Sequence, residues 1–418
     1  MRGRRAALLA LASLSGAPAL RGQAAPPAAV PGSELVVSVV TVGAGAAVWE
    51  RWGHNMIRVR DTRTGLDVVY NYGMFDFGEK GFLLHFLEGR LNYWSAGFYT
   101  SPTIAFYERV HRSLWEQVLR LTPDQRLTLR QFLDWNALPE HRYYRYDYYR
   151  DNCSTRVRDA LDRVLGGAIA RATRGRPTGT TYRDHTRRLT QDDPFLRTGL
   201  MLLLGPAIDR PIDEWEEMFL PVQMMGRLRE VTVDSAGKVL PLVVSEDTIY
   251  TSDRFPEPTD RGPMIPWFLL TGLGLGAAVA FAGRPRADGR LGWWFTAGVG
   301  LVTLVLGIGG LVATGLWALT DHAATYNNQN VLQANLVALV LAFTLRGVRL
   351  RRPGAVRLAQ GLSLFIAAGS VAGLLWHLVH GGQANGDVLA LLVPVNLGVA
   401  ASVWWGELRG TSGPSIGT

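Results

Sequence analysis

Hydrophobic and polar residues follow two regimes along the chain. Between about residues 33 and 255, short apolar stretches alternate with charged and polar ones, the pattern of a water-exposed domain with both strands and helices. From Met264 onward five apolar runs follow, approximately Met264–Ala282, Leu291–Leu319, Val331–Leu345, Leu358–Val379 and Val388–Trp405. A helix needs about 20 apolar residues to cross a bilayer. Four of the runs reach that range, whereas the third is shorter and contains Gln333 and Asn335.

Charge resolves the third run. The connection holding Arg284, Arg286 and Arg290 and the connection holding Arg346, Arg349, Arg351, Arg352 and Arg357 are both expected on the cytoplasmic side. They share a side only if the short run crosses. The connections at residues 320–330 and 380–387 contain no Lys or Arg and are expected to face outward with the soluble domain. This reading gives a five-helix transmembrane domain at 264–405 and a cytoplasmic tail at 406–418.

Within the soluble part, Glu34–Val42 reads as a strand. Asn55–Arg60 and Asp67–Tyr72 read as a hairpin around Asp61-Thr62-Arg63-Thr64-Gly65. A helix-rich stretch is predicted over Pro102–Leu121, followed by a helix over Pro123–Asn136 with Thr122 as its N-cap. A further helix is predicted from Cys153 to the Gly166-Gly167 stop. Val231–Val244 reads as another hairpin, and Phe255–Pro266 as a Pro-rich linker.

The first 25 residues combine Arg2, Arg4 and Arg5 with an apolar stretch, Ala6–Leu20, and a small-residue context at Gly22-Gln23-Ala24-Ala25. That is the pattern of a signal peptide, with no cysteine behind it to carry a lipid, and it puts the domain at 33–255 in the periplasm. The formal net charge is +8, carried almost wholly by arginine because Lys80 and Lys238 are the only lysines. Much of the excess flanks the apolar runs, and neither zinc-finger spacing nor an RNA-binding aromatic signature accompanies it, so nucleic acid is not an expected partner. No histidine pair has zinc spacing. No metal or other cofactor is expected.

Cys153 is the only cysteine, which rules out an intrachain disulfide. The apolar positions Val157, Ala160, Leu161, Val164 and Leu165 have helical spacing, and Asp151 or Asn152 suits the N-cap. Cys153 is thereby placed in a first helical turn, where the backbone dipole favours the thiolate. The plainer alternative is a small buried core residue. The best histidine partner is His54, at the start of a strand on which His54, Met56 and Arg58 share one face and Ile57 and Val59 the other. Pairing through the predicted turn brings Asn71 to the His54 side, where its amide can orient the imidazole. A slip of one residue would reverse that.

Several motifs resemble those of a known family. Gly53-His54 with Ile57-Arg58-Val59, Tyr70-Asn71-Tyr72-Gly73-Met74-Phe75-Asp76-Phe77, Asp151-Asn152-Cys153-Ser154-Thr155-Arg156, Leu204-Gly205-Pro206 through Asp209-Arg210, and Phe219-Leu220-Pro221 are similar to the periplasmic domain of Lnb-type lipoprotein N-acyltransferases. Thr320-Asp321-His322 and Asn327-Asn328-Gln329-Asn330 resemble that family's membrane part less specifically. The order of histidine before cysteine also resembles circularly permuted papain-like (NlpC-type) thiol enzymes. The resemblance implies an α+β, permuted papain-like thiol domain followed by the transmembrane bundle, in a multi-pass protein of the cell inner membrane.

It further implies transfer of an acyl chain from a phospholipid, through a Cys153 thioester, to the N-terminal amine of a diacylglyceryl-cysteine lipoprotein. His54 and Asn71 would assist, and Arg58, Arg156, His322 and Asn328 would be substrate-binding candidates. A membrane-anchored cell-wall thiol amidase or peptidase would use the same Cys/His pair but has no need of five spans. A non-catalytic membrane module, with Cys153 merely buried, is the other alternative. It has little support from the spans, which contain few ionisable groups beyond His377.

Overall fold

The computed structural model describes residues 30–408 apart from Leu91, Ala236, Asp260, Arg261 and Gly289. The expected leader, and the expected tail beyond residue 408, lie outside the described residues. The strands are β1 (Leu35–Val42), β2 (His54–Asp61), β3 (Asp67–Met74), β4 (Asn92–Tyr99), β5 (Leu114–Leu119), β6 (Tyr143–Arg145), β7 (Pro177–Thr181), β8 (Pro211–Asp213), β9 (Thr232–Ser235), β10 (Lys238–Pro241) and β11 (Val243–Tyr250). The helices of the soluble part are α1 (Phe82–Glu88), α2 (Thr100–Arg109), α3 (Pro123–Asn136), α4 (Cys153–Val164), α5 (Ala168–Thr173), α6 (Tyr182–Leu189), α7 (Pro194–Leu203), α8 (Glu214–Glu217) and α9 (Pro221–Glu230).

Seven strands form one antiparallel sheet in the order β11-β5-β1-β2-β3-β4-β6. Its two faces follow from residue parity. Val37 and Val39 of β1, Ile57 and Val59 of β2, and Tyr70 and Tyr72 of β3 form a core with Leu129, Leu133, Val157, Leu161 and Leu228 of α3, α4 and α9. The opposite face, Val40, Val42, Met56, Val69 and Leu114, is covered by Ile104 and Tyr107 of α2.

The expected β1, the β2–β3 hairpin and the helix starts at Thr122 and Cys153 are all present. Thr122 and Gln125 exchange cap hydrogen bonds at 3.2 and 2.9 Å. The expected helical stretch over Pro102–Leu121 is corrected. The helix stops at Arg109, His111 takes a left-handed backbone with φ 55°, and Leu114–Leu119 is a strand held by ladders to β1 and β11. Long-range pairing on both edges outweighs local helical spacing there.

Five helices are long and apolar enough to cross a membrane, spanning Ile265–Ala282, Phe295–Leu319, Gln329–Arg349, Pro353–His380 and Gly386–Trp405. They contain α10 (Ile265–Ala282), α11 (Gly300–Leu319), α12 (Val337–Arg349), α13 (Pro353–His380) and α14 (Gly386–Leu408). The third starts with a 3-10 turn at Gln329–Leu332 before α12. Its polar residues have partners inside the bundle. Gln333 donates to the Ser370 carbonyl at 3.1 Å and its own carbonyl accepts from Asn396 at 2.9 Å, while Asn335 caps α12 through the Val337 N–H at 2.9 Å. Glycines set the closest packing: a methyl added at Gly276 of α10 would lie 2.4 Å from the Pro394 carbonyl oxygen of α14, the close backbone approach that small residues permit in membranes.

The two parts are joined at α7. A helix leaves its last four carbonyls without helical partners, and here the outward connections of the bundle supply them. Asn330 Nδ2 donates to Met201 and Leu202 at 3.0 Å each, Asn328 Nδ2 to Leu202 and Leu203 at 2.8 and 3.0 Å, and Gln383 Nε2 to Leu204 at 2.8 Å. Arg183, fully buried, donates to the Leu204 and Gly205 carbonyls at 3.0 and 2.8 Å and pairs with Asp209. Asp209 in turn accepts from the Ala384 N–H at 2.9 Å. A second buried pair, Arg197–Asp387 at 3.0 Å, ties α7 to the start of α14. The connections at 320–330 and 380–387 therefore lie on the same side as the soluble domain.

This junction makes a stability prediction. Arg183→Ala leaves Asp209 and two carbonyls buried without their partner, a loss of about 3–5 kcal/mol. Gly205→Ala directs a methyl to 2.1 Å from the Tyr326 carbonyl oxygen. Both variants should unfold at clearly lower temperature in detergent than the parent, with Asn328→Ala lowering it less. An unchanged midpoint for Arg183→Ala would remove the junction as the element coupling the two parts.

Candidate active site

Cys153 opens α4. Asn152 precedes it in extended conformation, and its Oδ1 accepts from the Ser154 and Thr155 N–H groups at 2.9 and 3.0 Å, while Thr155 Oγ1 accepts from the Asn152 N–H at 2.8 Å. Asn152 Nδ2 donates to the Phe219 carbonyl at 2.9 Å. The sequence thus starts the helix at the thiol through a reciprocal cap, and the cap is itself anchored in the core.

His54 opens β2, and it is the following residue, Asn55, that meets the helix start. The Asn55 backbone N–H points at the Cys153 sulfur, and the Asn55 side chain donates to Ser154 Oγ at 2.9 Å, which donates to the Met218 carbonyl at 2.6 Å. The start of the strand is thereby stitched to the start of the helix. On β3, Asn71 pairs in register with Met56, so its side chain shares the His54 face, and its Oδ1 lies 2.9 Å from His54 Nε2. An amide oxygen only accepts, so His54 Nε2 carries the proton and Nδ1 keeps its lone pair. After Asn71 the β3–β4 register shifts, and Gly73 adopts φ +82°. A methyl at Gly73 would lie 3.4 Å from the Cys153 Cβ and 3.5 Å from the Tyr146 ring, so the glycine leaves the room in which the thiol stands.

Residues outside the expected set complete the surroundings. Arg112 is buried, donates twice to the Gly43 carbonyl at 3.0 and 2.8 Å, pairs with Glu50 at 3.4 Å and stacks its guanidinium 5.3 Å from the Tyr107 ring centre. Its positive field acts on both His54 and Cys153. Tyr107 lies 6.4 Å from the His54 ring. Arg112 has no sequence signal of its own, because it falls within the helix-rich pattern of Pro102–Leu121, which folding breaks at Arg109. The tyrosine cluster at 143–149 was visible, but only folding shows that Tyr144 and Tyr146 approach the thiol.

Burial governs the electrostatics. Loss of water, reinforced by Arg112, pushes the His54 imidazole down to about 4, against the opposing hydrogen bond to Asn71. Burial likewise pushes the Cys153 thiol up to about 11, although the Asn55 and Ser154 N–H groups and Arg112 pull the other way. The expectation of a thiolate favoured by the helix start is therefore corrected: desolvation outweighs the dipole, and the resting pair is neutral thiol and neutral imidazole.

The remaining candidates lie elsewhere. Arg58 is held by Asp67 and, at 2.9 Å, by Glu116. Arg156 is paired with Asp151 and packs over the Tyr144 ring at 4.2 Å. Asn328 is buried and occupied in capping α7. The His322 imidazole faces the Phe86 carbonyl at 2.9 Å and stacks on Tyr148. None of the four has a contact to Cys153, His54 or Asn71 among the described hydrogen bonds and ion pairs. No group of three or more His, Cys, Asp or Glu suited to a metal occurs among the described residues.

The raised thiol makes a pH prediction. The rate of Cys153 alkylation by iodoacetamide follows the thiolate fraction, so in the full-length protein it should climb by about tenfold per pH unit from pH 7 to 10. A rate already level above pH 6 would mean a preformed thiolate and a different balance of burial and field.

Residues 23–188 match the family model described as the Lnb N-terminal periplasmic domain. No curated protein and no solved structure matches the chain. The matched segment runs through the strands and helices that carry His54, Asn71 and Cys153, and five apolar spans follow it. The chain thus carries a domain similar to the Lnb N-terminal periplasmic domain and is a multi-pass membrane protein with that domain on its periplasmic side.

Proposed function

We propose that this protein is a lipoprotein N-acyltransferase of the inner membrane, with Cys153 as nucleophile, His54 as general base and acid, and Asn71 as the group that orients the imidazole. The observation that carries the reading is a thiol at a helix start whose sulfur meets the backbone N–H of Asn55, the residue that follows an asparagine-oriented His54, in a domain fixed to the outward end of five apolar spans. The histidine on a strand preceding a cysteine on a helix is also the permuted papain-like order. A thiol held at the membrane surface meets substrates whose reactive groups lie in the headgroup layer.

In the first half-reaction the Cys153 sulfur attacks the carbonyl carbon of a phospholipid acyl ester as its proton passes to His54 Nδ1. The tetrahedral intermediate expels the glycerol oxygen, which takes that proton from the imidazolium, leaving a lysophospholipid and an acyl thioester. In the second, the free amine of a diacylglyceryl-cysteine attacks the thioester carbonyl and gives a proton to His54. The sulfur leaves and recovers a proton, and the lipoprotein holds the new amide. Because both partners rest neutral, proton transfer accompanies attack in each half-reaction instead of preceding it. Arg112, fixed by Gly43 and Glu50, supports the anionic sulfur that appears transiently. Exclusion of water guards the thioester from hydrolysis.

The test is mass spectrometry of the purified full-length protein incubated with phospholipid vesicles. A hydroxylamine-sensitive acyl adduct should appear on Cys153 and be absent from Cys153→Ala and Cys153→Ser, in which the hydroxyl is far less ionised than a thiol. His54→Ala should slow adduct formation by about 100-fold or more, and Asn71→Ala by up to about 100-fold through misorientation. Lipoprotein N-acylation proceeding at the parental rate in Cys153→Ala would overturn the thiol mechanism.

A further inference from the structure

One corner of the soluble domain keeps large apolar side chains out of its core. Phe77, Leu83, Leu84 and Leu87 are 62, 68, 59 and 53% exposed, and Trp49 and Phe86 join them at the surface. Four of the six belong to α1, a short helix bracketed by Gly81 and Gly89, both with positive φ. A contiguous apolar surface of this kind marks an interaction site.

Its position identifies the partner. The Glu88 carbonyl accepts from the Asp321 N–H at 2.8 Å, and the Phe86 carbonyl faces the His322 imidazole at 2.9 Å. Asp321 and His322 immediately follow the outward end of α11, whose last residue, Leu319, is 83% exposed. The apolar corner is therefore continuous with the lipid-facing surface of a membrane span, at the level where that span leaves the bilayer.

From α1 an unbroken series of rings leads inward. Phe82 stacks on Phe75 with centres 5.9 Å apart, Phe75 on Tyr93 at 5.1 Å, and Tyr93 packs on Tyr146 at 4.4 Å. Trp49 and Phe77 flank the first of these steps. Tyr146 then shares with Cys153 the space left open at Gly73. Rings at this spacing offer an apolar wall along which a hydrocarbon chain exchanges one greasy surface for another.

We propose that α1 is immersed in the outer leaflet at the boundary of headgroups and acyl chains, and that the Phe82–Phe75–Tyr93–Tyr146 track guides one acyl chain of a bilayer phospholipid to Cys153. The second half of this proposal rests on the acyl-transfer reading, and the first stands without it.

The experiment uses the full chain with Cys153→Ser, a single cysteine introduced by Leu84→Cys and labelled with bimane, reconstituted in vesicles of phosphatidylcholine brominated on its acyl chains. The control carries Val239→Cys, an exposed position (74%) on the separate β9–β10 hairpin that leads into β11, the edge of the seven-stranded sheet opposite β4 and β6. Strong quenching at 84 and little at 239 is expected, and equal quenching overturns membrane immersion. In the Cys153 background, replacing Leu83, Leu84 and Leu87 together by Gln should lower the yield of Cys153 acyl adduct from vesicle phospholipid by about tenfold or more. An undiminished adduct despite strong quenching at 84 overturns the acyl track. If the parental chain forms no adduct from phospholipid while residue 84 is quenched, acyl transfer fails and the bilayer contact remains.

Discussion

The architecture depends on how one helix ends. The carbonyls at the C-terminus of α7 have no partners within the helix, and the amides of Asn328, Asn330 and Gln383, with the guanidinium of Arg183, supply them from the membrane side and from α6. An unsatisfied buried carbonyl is expensive, so α7 has a single well-satisfied seat. That seat fixes the height and orientation of the sheet above the bundle, and with it the height of Cys153 above the bilayer. The asparagine-rich outward loop thereby acts as a helix cap.

The same burial that makes the junction firm makes the thiol quiet. A helix start, two N–H groups and a nearby arginine all favour a negative sulfur, yet loss of water outweighs them and Cys153 stays protonated. His54 is discharged for the same reason. A lone cysteine in an oxidising compartment gains from this, since the thiolate is the form that oxidants and stray disulfides attack. Under the proposed acyl-transfer mechanism, reactivity is held back until a substrate carbonyl is in place to share the charge.

Local signals in the sequence located what local physics controls. The Thr122 and Asn152 caps, the β2–β3 hairpin and the five spans were legible because capping, two-residue alternation and apolar length act over a few residues. The pairing of Asn71 with His54 was legible because hairpin register follows from the turn. The conversion of Leu114–Leu119 from helix to strand was hidden, since it is decided by β1 and β11, which lie about 75 and 130 residues away. Arg112 was hidden with it. Nor does any short-range pattern announce that Asn328 reaches α7, a contact across 126 positions.

The parallel packing of α10 and α14 has a kinetic consequence. Gly276 and Gly398 bring the first and last spans into backbone contact, so the bundle closes on itself. The soluble domain is attached to it twice, covalently through the residues before Ile265 and non-covalently through the caps on α7. A body pinned at two points cannot swing out to fetch a substrate. For a substrate carried in the bilayer, as the proposed function requires, encounters then take place by lateral diffusion in two dimensions, and the quantity that governs them is its mole fraction in the leaflet, not its amount per volume of solution.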